Sequence, residues 1–258
     1  MTKIALVWLR EDLRIKDNAA LSYATQNHEI VTALYVYNKI EFDGKREAQK
    51  WWLFKSLKNL QIDLKVYNIN LEVLLGDDVE VLANIKNNQD ISIYANKVYE
   101  PSQKYKETKI SSHFNVNKIN FKLFKGNILI EYQEVVKDDG TPFKVFTPFW
   151  KNAEQRYLNK IPSKPTNIKK LKNSKSFFKN TIQIEKILPK NNWYKKFENY
   201  WKVSESDSKK ILNNLIESKI KDYGTARDYP SIEGTSKLSP YIKHGQIHVN
   251  TIWKKCSE

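Results

Sequence analysis

Short apolar runs alternate with amphipathic stretches through the first 125 residues of the chain. Ile4–Trp8 is continuously apolar and reads as a buried strand, after which Asp17 or Asn18 supplies an N-cap for a helix through Ala24. Ile30–Tyr37 reads as a second buried strand. A long helix follows in Arg46–Leu60, where Trp51, Phe54, Leu57 and Leu60 recur at three-residue spacing and keep one stripe against a sheet. Leu71–Leu75 is the next strand; Gly76 ends it and Asp77 or Asp78 caps a helix through Ile85. Ile91–Tyr94, a helix near Gln103–Ser112 and Ile119–Phe124 complete the series. Strands separated by helices of this length require parallel crossovers, so the pattern predicts an α/β fold: a doubly wound parallel five-stranded sheet with helices on both faces.

Ligands in such sheets bind at the carboxyl ends of the strands. The seven glycines, at 44, 76, 126, 140, 224, 234 and 245, never take the spacing of a dinucleotide fingerprint or a P-loop, which argues against a nicotinamide dehydrogenase or an NTPase. Asp138-Asp139-Gly140 is a turn signal between Glu131–Val136 and Phe143–Phe146, and its paired acids are turn chemistry rather than a catalytic pair. From Asn159 to Asn192 the chain becomes rich in Lys, Asn, Ser and Pro and loses its periodicity, as an inter-domain connection does. Helical pattern returns after Trp193, and in Ser208–Ile220 the residues Ile211, Leu212, Leu215 and Ile216 share a face. The expected organisation is an α/β domain over 1–130, a connecting segment and basic linker over 131–192, and the start of a helical domain over 193–258.

The formal charge of +15 is unevenly distributed: residues 1–150 carry 21 basic and 19 acidic side chains, residues 151–258 carry 23 and 10. Two readings of the basic half stand side by side. Clustered Lys and Arg neutralise nucleic-acid phosphates; equally, a chain rich in Lys, Asn and Ile together can owe its lysines to base composition. Only five of the 44 basic residues are Arg: Arg10, Arg14, Arg46, Arg156 and Arg227. A planar fork of donors is not replaceable by Lys where an anion is held bidentately, so these positions point to special contacts, with Arg46 expected to be incidental. Cys256 is the one cysteine, and Gly245 interrupts any helix that would pair His244 with His248, so neither a disulfide nor a metal is expected. The apolar run before Arg10 is too short for a secretory or membrane segment, and the expected location is the cytoplasm.

Three segments become more specific. The first is Trp8-Leu9-Arg10-Glu11-Asp12-Leu13-Arg14-Ile15-Lys16-Asp17-Asn18, in which Arg10 and Arg14 flank Asp12 at a strand's carboxyl end; an ion-pair cluster that fixes the loop and touches no ligand is the expected role. The second is Phe143-Lys144-Val145-Phe146-Thr147-Pro148-Phe149-Trp150-Lys151, with Arg156 just beyond. The third runs from Tyr223-Gly224-Thr225-Ala226-Arg227-Asp228-Tyr229-Pro230 through Glu233-Gly234-Thr235-Ser236-Lys237-Leu238-Ser239-Pro240 to Gly245. Ser239 and Pro240 make a good N-cap and N1 pair, and the Gly-Thr-Ser-Lys run before them offers backbone N–H groups, two hydroxyls and a cation, as a diphosphate requires. Alone, this run would be an ordinary capped turn.

Collinear and correctly separated, the three segments resemble the DNA photolyase/cryptochrome family. The resemblance implies a photolyase-type α/β domain followed by the beginning of an all-α FAD-binding domain. It implies a partial FAD site at Tyr223, Thr235, Ser236, Lys237, Leu238 and Ser239, with Lys237 where many relatives have Arg, and Arg227 near a DNA backbone. Damaged DNA is the implied partner of a full-length, monomeric relative, and light-driven, FAD-dependent repair of cyclobutane pyrimidine dimers the implied function; a cryptochrome-like blue-light receptor or a non-catalytic nucleotide-binding module is the alternative. Some relatives bind a folate antenna through Asn-Glu near a segment resembling Tyr99-Glu100-Pro101; Ser102-Gln103 stands there instead, so no antenna is assigned. No catalytic residue is assigned either. The chain stops at Glu258, soon after the flavin motif, and is expected to be a truncated form, inactive alone, with the apolar faces of Trp193–Ile220 exposed.

Overall fold

The computed structural model describes residues 4–42, 46–85, 91–158 and 166–257. Five parallel strands form one sheet in the order β3-β2-β1-β4-β5: β1 Ile4–Leu9, β2 Ile30–Tyr37, β3 Asn70–Leu75, β4 Ile91–Asn96 and β5 Asn120–Phe124. β1 and β4 are buried along their whole length because helices cover both faces. Ala5, Val7 and Leu9 enter one core with Leu21, Leu57 and Leu64; Leu6 and Trp8 enter the opposite core with Leu82, Ile110 and Phe114. This is the doubly wound parallel sheet that the strand and helix pattern predicts.

The helices of this part are α1 Ala19–Asn27, α2 Lys39–Phe42, α3 Glu47–Val66, α4 Asp78–Ala83 and α5 Pro101–Val116. Asn18 caps α1 by accepting from the Leu21 N–H, and Asp77 caps α4 by accepting from Val79. The four-residue α2 has no counterpart in the periodicity. α3 continues past Leu60 to Val66, with Leu64 fully buried.

Gly140 takes positive φ in the expected turn, but its flanks are not strands. The hairpin is reduced to one bridge, Val136 to Pro142, because Pro142 has no N–H for a ladder and Phe146 already begins α6, Phe146–Leu158. The predicted connection begins at 159–165, which lies outside the described residues; the rest is a strap along the sheet's open edge. Glu72 of β3, itself buried, accepts from Ser176 Oγ and the N–H groups of Phe177 and Phe178 at 2.7, 2.7 and 2.9 Å. Ile182 donates to Val73 O at 2.8 Å, and Ile168, Leu171, Ile184 and Ile187 are buried in the α1/α3 core. An unpaired strand edge is thereby covered.

Beyond the strap come α7 Glu205–Asn214, α8 Tyr223–Ala226, α9 Ser239–Lys243 and α10 Val249–Ser257. Leu212 and Leu215 share the predicted inward face. The expected exposure of the 193–220 faces is corrected in large part. Adjacent Trp51 and Trp52 of α3 supply the missing wall, packing with Val203, Leu212, Leu215, Leu238, Tyr241 and Ile247 in a third core.

A buried polar knot joins these parts. Asp12 accepts from Arg10 N–H at 2.7 Å and from Asn96 Nδ2 at 2.7 Å, and Asn96 Nδ2 also reaches Asn18 Oδ1 at 2.8 Å. Arg14, 2% exposed, donates to the carbonyls of Gly245 and Asp17, both at 2.8 Å. Burial lowers the Arg14 pKa while Asp12 works against that shift. Asp12→Ala leaves two amide donors without their acceptor and takes away one of the three carboxylates, with Asp17 and Glu205, that favour the buried Arg14 guanidinium, and is expected to cost about 3–5 kcal/mol by urea unfolding. Asp138→Ala, in the exposed turn, should change the same measurement by less than about 0.5 kcal/mol.

Candidate functional site

The Gly234–Ser239 run begins at a forced close approach. A Cβ on Gly234 would lie 2.1 Å from the carbonyl oxygen of Ala226, so only glycine lets the loop lie on α8. Lys237 then adopts φ +55°, and Leu238 returns to right-handed helical angles, the left–right alternation that turns successive N–H groups to one side. The N–H groups of Thr235, Ser236 and Lys237 donate to no carbonyl of the described residues. Thr235 and Ser239 are exposed and Ser236 is half-buried.

The six candidate positions divide into two kinds. Leu238 is 3% exposed and Tyr223 half-buried, both in the Trp51/Trp52 core, where they anchor the loop. Thr235, Lys237 and Ser239 are exposed, and the half-buried Ser236 hydroxyl accepts from the Leu238 N–H at 3.4 Å. The capping differs in detail from the expectation: Ser239 is the first helical residue and Pro240 the second, and Leu238 in the cap position makes no side-chain cap. Lys237 is not a bare cation either. Its Nζ lies 2.6 Å from Glu233 Oε1, and that ion pair holds the Glu233 carboxyl below its usual range. Arg227 is exposed, with Asp228 at 3.6 Å.

Downstream, the same stretch is fastened to the sheet's carboxyl end. Gly245, at φ +67°, sits so close to Glu11 that a Cβ would be 1.9 Å from its carbonyl oxygen. Leu13 donates to His244 O at 3.2 Å, Trp52 Nε1 to Gln246 Oε1 at 2.8 Å, and Thr251 to Asp17 at 2.9 Å. The loop at 234–239 therefore hangs from a rigid base.

A second feature is a cleft of about 350 Å³ at the ends of β1, β2 and β4, where the strand order reverses. Arg10, Tyr35, Arg46, Glu100, Ser102, Gln103, Lys243 and His244 are among its walls. Most of its charges neutralise one another. Arg10 meets Glu107 at 2.6 Å, Lys243 sits between Glu11 and Glu100, and Lys106 behind the wall bridges Glu41 and Asp78 at 2.9 and 2.8 Å. Arg46, read from sequence as incidental, lines this cleft without an acidic partner among the described residues. Sequence reasoning located the sheet end but missed Lys243 and His244, because 143 positions separate Lys243 from Glu100 across the cleft and no local pattern marks such a return.

 The contact that closes the cleft, Lys243 to Glu100, spans 143 positions.

Comparison with known proteins places these features. The DNA photolyase family model matches residues 5–167. The chain belongs to the DNA photolyase family. It is 29% identical over 98% of its length to the deoxyribodipyrimidine photo-lyase of Agrobacterium fabrum, of which it covers 53%, and 25% identical over 98% of its length to cryptochrome-2 of Arabidopsis thaliana, of which it covers 43%. A class III photolyase structure from Agrobacterium tumefaciens superposes with a TM-score of 0.86 at 27% identity, over 99% of this chain and 53% of that one. A cryptochrome from Synechocystis sp. PCC6803 superposes at 0.83 with 20% identity, over 98% of this chain and 55% of that one, which shows the fold. The chain thus spans about half the length of the relatives it matches.

His244 and His248 give this region a pH response. Burial pushes their pKa values down to about 4 and about 3, and His244 lies nearly parallel to the Trp52 ring. Both are neutral when folded, so the unfolded chain binds more protons below about pH 6.5 and stability falls with pH from there toward about 4. Asp78, raised by burial, works in the opposite direction. The urea unfolding free energy is expected to drop by about 2 kcal/mol between about pH 6.5 and 5, and His244→Gln with His248→Gln to flatten that slope. An unchanged slope in the double variant contradicts the assignment.

Proposed function

We propose that this chain forms the flavin-entry half of a deoxyribodipyrimidine photolyase, in which Thr235, Ser236, Lys237 and Ser239 receive the diphosphate of FAD and Tyr223 and Leu238 hold their loop in place. The observation that carries this reading is the set of N–H groups at Thr235, Ser236 and Lys237 that donate to no carbonyl of the described residues, beside two hydroxyls and a cation on a base fixed to the sheet. That donor set fits a diphosphate. When bound and reduced, FAD supplies light-driven electron donation to a cyclobutane pyrimidine dimer. The residues present bind and orient; the isoalloxazine walls and the lesion pocket belong to a helical half such as the longer relatives contain. Arg227, exposed and weakly paired, is assigned to the DNA backbone. The protein is proposed to work in the cytoplasm as a monomer on damaged DNA.

A photoreceptor reading is kept because the match to cryptochrome-2 extends over the same 98% of the chain. Repair of dimer-containing DNA under blue light separates the two.

The test joins residues 1–257 to the helical half of the Agrobacterium fabrum relative and follows FAD binding by absorption and fluorescence. Lys237→Glu should weaken binding at least about tenfold, a loss of about 1.4 kcal/mol. Glu233→Gln should strengthen it about two- to fivefold, because the phosphate no longer competes with Glu233 for Lys237. If neither change moves FAD affinity in a folded chimera, the loop is not the diphosphate site.

A further inference from the structure

A different cavity, of about 760 Å³, opens where β2 and β3 end, on the flank away from the β1/β4 reversal. Its size is that of a small-molecule site. Tyr37 and Leu75, the last residues of those strands, form its floor, and the strap over 182–191 forms one wall. Four lysines line it. Lys50 is paired with Glu47 at 2.9 Å, whereas Lys39, Lys186 and Lys190 have no acidic partner among the described residues. Leu75 is 53% exposed, so apolar surface and unpaired cations face the same space.

Two other cavities hold fewer free cations. The cleft at the β1/β4 reversal has one such cation, Arg46, and its lysine is held by Glu11 and Glu100. The groove of about 710 Å³ along β3 has a single lysine, Lys65, beside Glu72, committed to the strap, and Glu185, paired with Lys58 at 2.5 Å. Three unpaired cations around one concavity repel one another, and a bound anion converts that repulsion into charge-assisted hydrogen bonds. An apolar floor beneath them selects an anion with a flat, apolar body over a bare inorganic one.

We propose that this pocket binds a small aromatic phosphate of the nucleoside diphosphate class, with the phosphates among Lys39, Lys186 and Lys190 and the ring on Tyr37 and Leu75. The site is separate from the Gly234–Ser239 loop and does not depend on the function proposed for it. Adenosine 5′-diphosphate is the probe, titrated into the whole chain by calorimetry at low salt. Saturable binding is expected, weakened at least about tenfold by Lys186→Glu with Lys190→Glu and at least about threefold by Leu75→Ser. Lys169→Glu with Lys170→Glu makes the same change in net charge on an exposed part of the strap outside the pocket, and should weaken binding less than about twofold. Lys237→Glu should leave it unchanged, and pyrophosphate should bind at least about fivefold more weakly.

Four results overturn the proposal: no saturation by about 10 mM; equal losses in the two double-lysine variants, which indicates diffuse charge; loss on Lys237→Glu, which assigns the probe to the other loop; or pyrophosphate binding as tightly as the nucleotide. Circular dichroism of each variant confirms that a lost signal is not lost folding.

Discussion

The architecture rests on the burial of Asp12. A carboxylate 4% exposed at the end of the central strand is tolerable only when its oxygens are fully engaged, and here backbone, Asn18 and Asn96 engage them. Those donors come from three places: the loop after β1, the N-cap of α1 and the end of β4. Arg14 extends the knot to Gly245, some 230 residues further along the chain. Removing water from this cluster makes each bond interdependent, so the sheet end, the first helix and the distal helical segment are positioned together.

The distal segment inherits its geometry from that knot. Gly245 can lie against Glu11 only without a side chain, and with it in place Tyr241 and Leu238 reach the indoles of Trp51 and Trp52. The 234–239 loop is therefore a short exposed span between two buried anchors, Gly234 on α8 and Leu238 in the third core. Such a loop can present backbone N–H groups without paying the full ordering entropy at the moment a ligand arrives. Lys237 shows the opposite tendency: its surface pair with Glu233 is weak, exchangeable and screened by salt.

Charge in this chain is organised by partnership more than by number. Arg10 and Arg14, two of the five arginines, are consumed by internal contacts, to Glu107 and to backbone carbonyls. Several lysines near the cleft are likewise held by carboxylates. The strap brings further lysines past the ends of β2 and β3, where no acid of the described residues meets Lys186 or Lys190. A net charge of +15 says nothing of this difference, since potential depends on which cations keep their counter-charges.

Strand and helix alternation, the caps at Asn18 and Asp77, and the three family segments were legible in the sequence because each depends on neighbours a few residues apart. The same local reading placed the Gly234–Lys237 run just ahead of a helix start. It did not foresee that the 166–192 stretch straps the β3 edge, that Trp51 and Trp52 cover the 193–220 helices, or that Arg46 and Lys243 share a cleft. Local periodicity determines which face of an element is apolar; it does not determine what that face meets. Only the tertiary structure decided those partners, because burial energy depends on surfaces brought together across the whole chain, and such contacts leave no periodic mark in sequence.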